Sequence, residues 1–296
     1  MKLYDFDGMF DEKLGAYIQK HASEHTESEW EDIIPRMYAK FGDTPIKAIG
    51  TTPRKFYAAM SDADLIKCLK AHLKQQISVS EFLCEAIEGR NLTDLLIPLL
   101  DGAPSEREYA VNLIGADDKV IKKYLKMLVE STDEDFKSRL ADCIKEKADL
   151  VTEEALGLYA SGADKEYMLE IMSRSVVRDE RIFDILIGEF RRDDENVPMH
   201  ASYLAAYGDE RALPYLLDKI DGEGVTFIEF QELKYAIEAL GGEYTKERDF
   251  SNDPYYEIIK AHSVSSADVF GAGGLNGVIN GDINGDINGG QGNAEK

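Results

Sequence analysis

The sequence predicts an all-α protein, a right-handed α-solenoid of stacked helical hairpins, and three observations predict it. Amphipathic runs with a helical period follow one another through most of the 296 residues. A short turn centred on glycine recurs between them, at Gly115, Gly162, Gly208 and Gly241, spaced 47, 46 and 33 residues apart. No stretch sustains the alternation of β-branched and polar residues that a strand requires.

The turn is clearest in Ser202 to Lys219, SYLAAYGDERALPYLLDK. Gly208 is suited to a left-handed C-cap, and the Asp209 carboxylate is suited to cap the helix that follows. Four residues before the four glycines stand Val111, Leu158, Leu204 and Ile237, all large aliphatics. Five residues before stand Ala110, Gly157, Tyr203 and Ala236, mostly small. The apolar stripe resumes five residues after the first three glycines, at Val120, Tyr167 and Leu213, and again at Tyr124, Ile171 and Leu217.

The elements follow in order. Asp11 to His25 and Glu27 to Phe41 read as a first hairpin, the second helix opened by a capping box at Thr26-Glu27-Ser28-Glu29. Trp30 falls in register with Ile33, Ile34 and Met37 as a core anchor, and Pro35 is expected to kink that helix or to sit where a preceding carbonyl is free. Thr51-Thr52-Pro53 opens a short helix to Met60, and Ser61 caps a longer one to Gln76. Further capping boxes are expected at Ser78 to Glu81, Ser105 to Glu108, Ser131 to Glu134 and Thr226 to Glu229. After His262 the composition breaks into a Gly/Asn-rich segment in which Ile-Asn-Gly-Asp repeats. Such a segment lacks the apolar surface to offset its ordering entropy, so 263–296 is expected to be a disordered tail.

The pattern small-aliphatic-x-x-x-Gly-Asp-x-x-Ala-Leu-Pro-x-Leu-Leu, carried by Ala201 to Leu217, resembles a HEAT repeat, in particular the HEAT-like repeats of bilin lyases. The likeness covers roughly residues 91 to 242. It implies a HEAT-like or ARM-type superhelix of roughly seven or eight hairpins. Residues 1–100 would form a divergent helical cap region, 101–262 the repeat solenoid and 263–296 the tail. A repeat of this kind is a packing solution, so the resemblance implies fold before activity.

Composition narrows the function classes. With 34 Lys+Arg against 57 Asp+Glu, the chain carries a net charge of −23. That field opposes phosphate backbones and anionic lipid, so nucleic-acid and membrane partners are not expected. No signal peptide or apolar span is present, and the protein is placed in the cytoplasm. Cys68, Cys84 and Cys143 are widely spaced, without a CxxC, and read as reduced buried thiols.

Three segments bear on metal chemistry. His21-Ala22-Ser23-Glu24-His25 matches H-x-x-E-H, in which two histidines one helical turn apart hold zinc and a glutamate activates water. The surrounding α/β protease context and a third ligand are missing, so no metal is assigned. Asp218 to Phe230 resembles a calcium loop, but alignment on Gly224 puts Lys219 and Phe230 where carboxylates are needed. Asp282 and Asp286 in the tail are too few and too closely spaced for a calcium-binding repeat.

The functional expectation is therefore a non-enzymatic protein-interaction scaffold, without cofactor or catalytic residues. It would bind a protein or peptide of basic character on the concave face. The residues expected to face that partner are His200 and Tyr203 before Gly208, and Glu232, Tyr235 and Glu238 before Gly241. The alternative is a helical-repeat enzyme, a lyase or transferase by analogy with bilin lyases, or a zinc hydrolase using His21, Glu24 and His25.

Overall fold

The computed structural model describes residues 2–193, 195–256 and 258. Helices make up 69% of them, fifteen α-helices and three 3-10 helices lying between Phe6 and Ala239, with no strand among the described residues. No helix among the described residues is long and apolar enough to cross a membrane. The chain divides into two compact units, Met1–Ile182 and Phe183–Lys296, and the division falls inside helix α12 (Glu180–Arg192).

The first unit begins with α1 (Phe6–His21), α2 (Glu27–Gly42), α3 (Pro53–Ala58), α4 (Asp62–Gln75), α5 (Glu81–Glu88) and α6 (Thr93–Leu96). Aromatic rings hold this part together. Phe6 meets Tyr57 edge-on at 5.6 Å, Phe10 meets Tyr38 edge-on at 4.9 Å, and Tyr38 stacks on Phe82 at 4.7 Å. Phe6, Phe10, Phe41, Tyr57 and Phe82 are all buried. Burying each apolar side chain contributes about 1.5–3 kcal/mol, so this cluster anchors the helices around it.

The unit continues through a 3-10 turn, Ile97–Asp101, into α7 (Pro104–Ile114), α8 (Ile121–Glu130) and α9 (Glu134–Lys145). A second 3-10 turn, Ala148–Val151, leads to α10 (Thr152–Ser161) and α11 (Lys165–Ser173). Helix α8 packs on α9, and α10 on α11; α9 also packs on α7, and α11 on α9. Each odd-numbered helix here thus rests on the one two before it. Helices on both sides of residue 100 belong to this unit, for α5 and the 3-10 turn Ile97–Asp101 both pack on α7.

A ladder of ion pairs runs beside the apolar contacts. Lys119 reaches Asp94 at 2.7 Å, Lys123 reaches Asp101 at 2.6 Å, and Lys147 reaches Asp118 at 2.9 Å. Lys122 reaches Glu154 at 2.6 Å, Lys145 reaches Glu170 at 2.5 Å, and Arg181 reaches Glu153 at 2.6 Å. Exposed pairs contribute at most about 1 kcal/mol each, so the ladder sets register more than it sets stability.

The second unit contains α13 (Val197–Tyr207), a 3-10 turn (Glu210–Ala212), α14 (Leu213–Ile220) and α15 (Phe227–Ala239). Both α13 and α14 pack on α15. Residues 243–253 are irregular and lie across this helix as a strap. The Tyr244 hydroxyl donates to Asp221 at 2.7 Å, Lys246 to the same carboxylate at 2.5 Å, and Arg248 to the Gly222 carbonyl at 2.7 Å. The Phe227 amide, at the start of α15, donates to Asp253 at 2.7 Å. Phe250 packs on Phe227 and Phe230 with centroids 5.4 and 5.1 Å away.

The turn chemistry matches expectation at Gly208, which is left-handed with φ 73°, and at Asp209, whose carboxylate accepts from the Arg211 amide at 3.0 Å. Gly162 is likewise a left-handed cap, with φ 85°. The capping boxes at Thr26 and Thr226 are both formed, and Thr52 and Ser61 cap α3 and α4.

Three boxes are displaced. The Ser78 hydroxyl donates to Asp7, and Ser80 takes the cap position of α5 without a side-chain bond. Helix α7 starts at Pro104, one residue before Ser105, and Glu106 accepts from the Ala103 amide at 3.3 Å. Asp133, a carboxylate nearer to the helix than Ser131, caps α9 by accepting from Phe136 at 3.1 Å.

Packing also departs from the expected register in places. Trp30 is only half-buried, against Tyr17 and His25. Leu217 is exposed, because Leu216 and Ile220 form the buried stripe of α14. Helix α8 packs more closely on α9 than across the Gly115 turn. Helix α1 begins at Phe6 rather than Asp11, since Asp5 accepts from the Gly8 amide at 2.8 Å and caps it. The tail expected to be disordered, 263–296, lies outside the described residues.

Candidate interaction surfaces

The H-x-x-E-H residues are not arranged as on a zinc-protease helix. Helix α1 ends at His21, so His25 lies beyond it in the turn to α2. The His21 ring packs on Tyr17 at 4.3 Å and shares a hydrogen bond of 2.7 Å with Glu24. His25 instead meets Trp30 edge-on at 5.0 Å. The glutamate that would activate water is engaged with one of the supposed ligands, and no group of three metal-ligating side chains occurs among the described residues.

The loop that resembles a calcium site is held by protein groups. Asp221 accepts from Tyr244 and Lys246, and Thr226 and Glu229 close the α15 cap. The three cysteines are free. Burial pushes the Cys68 and Cys84 thiols up to about 11, and Cys143 upward as well. They are therefore protonated and weakly nucleophilic at neutral pH.

The five residues expected to meet a partner lie on α13 and α15 of the second unit, and they separate. His200 is a correction: it is only 4% exposed, where an outward position was expected. The buried stripe of α13 is Val197, His200, Ala201, Leu204 and Tyr207, so the imidazole belongs to the core face. Its Nε2–H donates to Asp193 at 3.3 Å. Asp193 also accepts from Asn196 Nδ2 and from the Glu195 and Asn196 amides, which together hold its carboxyl down at about 2. His200 thus supports the turn into α13.

Tyr203 is half-buried, with its ring edge-on to His200 at 6.0 Å. Glu232 is half-buried too, and burial raises its carboxyl above the usual range. Tyr235, 50% exposed, and Glu238 face solvent on α15. Of the expected set, these two present a ring and a carboxylate to the surroundings.

A more developed surface lies in the first unit, where the sequence reading placed no site. A groove of about 490 Å³ opens between α1, α2, α3 and α5. Its walls include Phe10, Ile34, Pro35, Tyr38 and Val79, and its charges are Asp7, Asp11, Glu81 and Glu85 against Arg54. Asp7 and Asp11 are one turn apart on α1; Glu81 and Glu85 are one turn apart on α5. Like charges at this spacing repel and weaken the helix that carries them. Two such pairs converge on one groove, a signal present in the sequence but assembled only by the tertiary fold.

The groove floor is fixed by hydrogen bonds. The Tyr38 hydroxyl donates to Asp7 Oδ1 at 2.5 Å and accepts from the Glu81 amide at 3.3 Å. Asp7 Oδ2 accepts from the Ser78 hydroxyl. Burial and the neighbouring Asp7 raise the Tyr38 phenol far above its usual range, so it stays a donor. Arg54 lies over the Phe82 ring at 4.9 Å and is paired with Glu85 and, at 3.6 Å, with Asp43. Asp11 and Glu81 are exposed at the rim. What this arrangement can do is accept a cationic, partly apolar chain segment, with carboxylates at the edge and rings beneath.

Comparison of the chain with protein-family models, with characterised proteins and with solved structures finds no match to any of them.

Proposed function

We propose that this protein is an interaction scaffold of the helical-repeat kind, and that it binds a protein or peptide segment rich in lysine or arginine. The observation that carries the reading is the groove of the first unit. Asp11 and Glu81 stand exposed at its rim, each one turn from an engaged carboxylate, above an aromatic and aliphatic floor. The wider charge agrees with it: acids outnumber bases 57 to 34, and many bases are engaged by neighbouring helices in the ion-pair ladder. Tyr235 and Glu238 on α15 offer the same pairing of ring and acid in the second unit. The solenoid reading draws its support from the glycine turns and from the succession of α7, α9 and α11, each packed on the one before.

Fluorescence anisotropy with a labelled nona-arginine peptide tests this reading. Asp11→Lys/Glu81→Lys should weaken binding by more than about tenfold, as expected when charges facing a ligand are reversed. Glu195→Lys/Glu223→Lys makes the same change in net charge at exposed positions of the second unit and should weaken it far less. Equal losses from the two double variants would mean that the peptide senses only the overall field, and the groove would not be a site.

A further inference from the structure

The most exposed large apolar residues described are adjacent in the chain: Val176 is 80% and Val177 64% exposed. They are not loosely held. A single oxygen, Asp149 Oδ1, accepts from the Ser175 hydroxyl at 2.5 Å and from the amides of Val176 and Val177 at 3.1 Å each. The Ser175 hydroxyl also lies 3.0 Å from the Val177 carbonyl. The neighbour of Asp149 in the chain, Leu150, is itself 40% exposed. A clamped loop tip therefore presents branched aliphatic side chains to water. Aliphatic side chains held out in this way are suited to insertion into an apolar groove, and the clamp lowers the entropy lost when they dock.

The tip is also charged opposite to its protein. Arg174-Ser175-Val176-Val177-Arg178 carries two arginines and no acid within a chain of net charge −23; Arg174 is exposed, while Arg178 donates to the Ser175 carbonyl at 3.4 Å and Asp179 and Glu180 follow it. It is the kind of segment the groove of the first unit would take. We propose that the tip of one copy enters the acidic groove of a second copy, with Val176 and Val177 on the floor formed by Phe10, Ile34 and Val79. Arg174 then meets the rim carboxylates Asp11 and Glu81. None of the tip residues lines the groove of its own chain, and Asp149 ties the tip to the 3-10 turn Ala148–Val151, so the occupant comes from another molecule. The contact joins different patches on the two copies, which makes it a head-to-tail association able to extend. Its small area makes it weak and concentration-dependent.

This inference rests on reading the groove as a site for basic segments. Sedimentation velocity of the full chain, over a wide concentration range at low and high salt, tests it. The mean sedimentation coefficient of the wild type should rise with concentration and fall back in high salt. Val176→Asp/Val177→Asp, a tip variant, and Asp11→Lys/Glu81→Lys, a groove variant, should each remain monomeric with an unchanged circular-dichroism spectrum. Arg174→Glu, which alters one exposed side chain, should weaken the association as well. Mixing the tip and groove variants should restore a complex of two copies and no more, because one intact tip meets one intact groove. A wild type that stays monomeric, association that survives the tip changes, or a mixture that fails to pair would overturn the proposal. If nona-arginine still binds the groove in those cases, the self-association falls and the scaffold reading stands; if it does not, both fall.

Discussion

Lys137 Nζ lies 2.7 Å from Asp164 Oδ1, and Asp164 holds a left-handed backbone with φ 43° at the start of α11. An aspartate in that region is one of the few non-glycine residues the geometry tolerates. The ion pair fastens it to α9, where Lys137 is buried and also 3.2 Å from Glu134. Removing the ammonium with Lys137→Met leaves Asp164 without its partner, and should cost about 1–3 kcal/mol in urea unfolding. Asp164→Asn, which keeps the left-handed tolerance, should cost less, and a double-mutant cycle should show the two positions to be coupled.

The pH dependence of that pair has a definite sign. The hydrogen bond that Lys137 donates to Asp164 raises its ammonium above the usual range. A base whose folded pKa is raised contributes stability in full below its unfolded value, about 10.4, and loses it as pH climbs through the folded value. Wild-type stability should therefore fall on the alkaline side of about pH 10.4, and Lys137→Met should make that fall shallower.

Helix caps offer a second check. The Thr226 hydroxyl accepts from the Glu229 amide, and the Glu229 carboxylate accepts from the Thr226 amide at 2.7 Å. Thr226→Ala should cost about 1 kcal/mol. Ser105, although it opens an identical sequence signature, lies inside α7, and Ser105→Ala should be within about 0.5 kcal/mol of neutral. Equal losses from the two would mean that the start of α7 is misplaced.

Two glycines of one helix should respond with opposite signs. Gly157 sits inside α10, and an added Cβ there meets nothing within 4 Å. Gly157→Ala should stabilise by about 0.5–1 kcal/mol through the unfolded chain. Gly162 ends the same helix with φ 85°, where Gly162→Ala should destabilise by about 1 kcal/mol. Thermal melts of the two variants give the comparison directly.

What was legible in the chain was whatever local chemistry decides. Gly162, Gly208 and Asp209 act as their types and neighbours dictate, and Thr26, Ser61 and Thr226 cap the helices they precede. Reading failed where a distant or better-placed group competed. Ser78 is claimed by Asp7, 71 residues earlier, and Asp133 outranks Ser131 by being adjacent to the helix it caps. His200, expected to face outward, falls on the buried stripe of α13 with Val197, Ala201, Leu204 and Tyr207, three and four residues apart, and the fold closes over it through Asp193. The groove was hidden for a tertiary reason: Asp7 and Asp11 meet Glu81 and Glu85 only once α1 has packed near α5. The paired carboxylates were visible in each segment separately, but their convergence was not.

The strap across α15 has a consequence for how the chain is made. The first amide of that helix, on Phe227, finds its acceptor in Asp253, and Phe250 covers Phe227 and Phe230. During synthesis the helix is made before the residues that finish it. Until they follow, its apolar start stays open to water and to other chains, so a chain cut short near Gly242 would leave Phe227 and Phe230 uncovered for quality control to find.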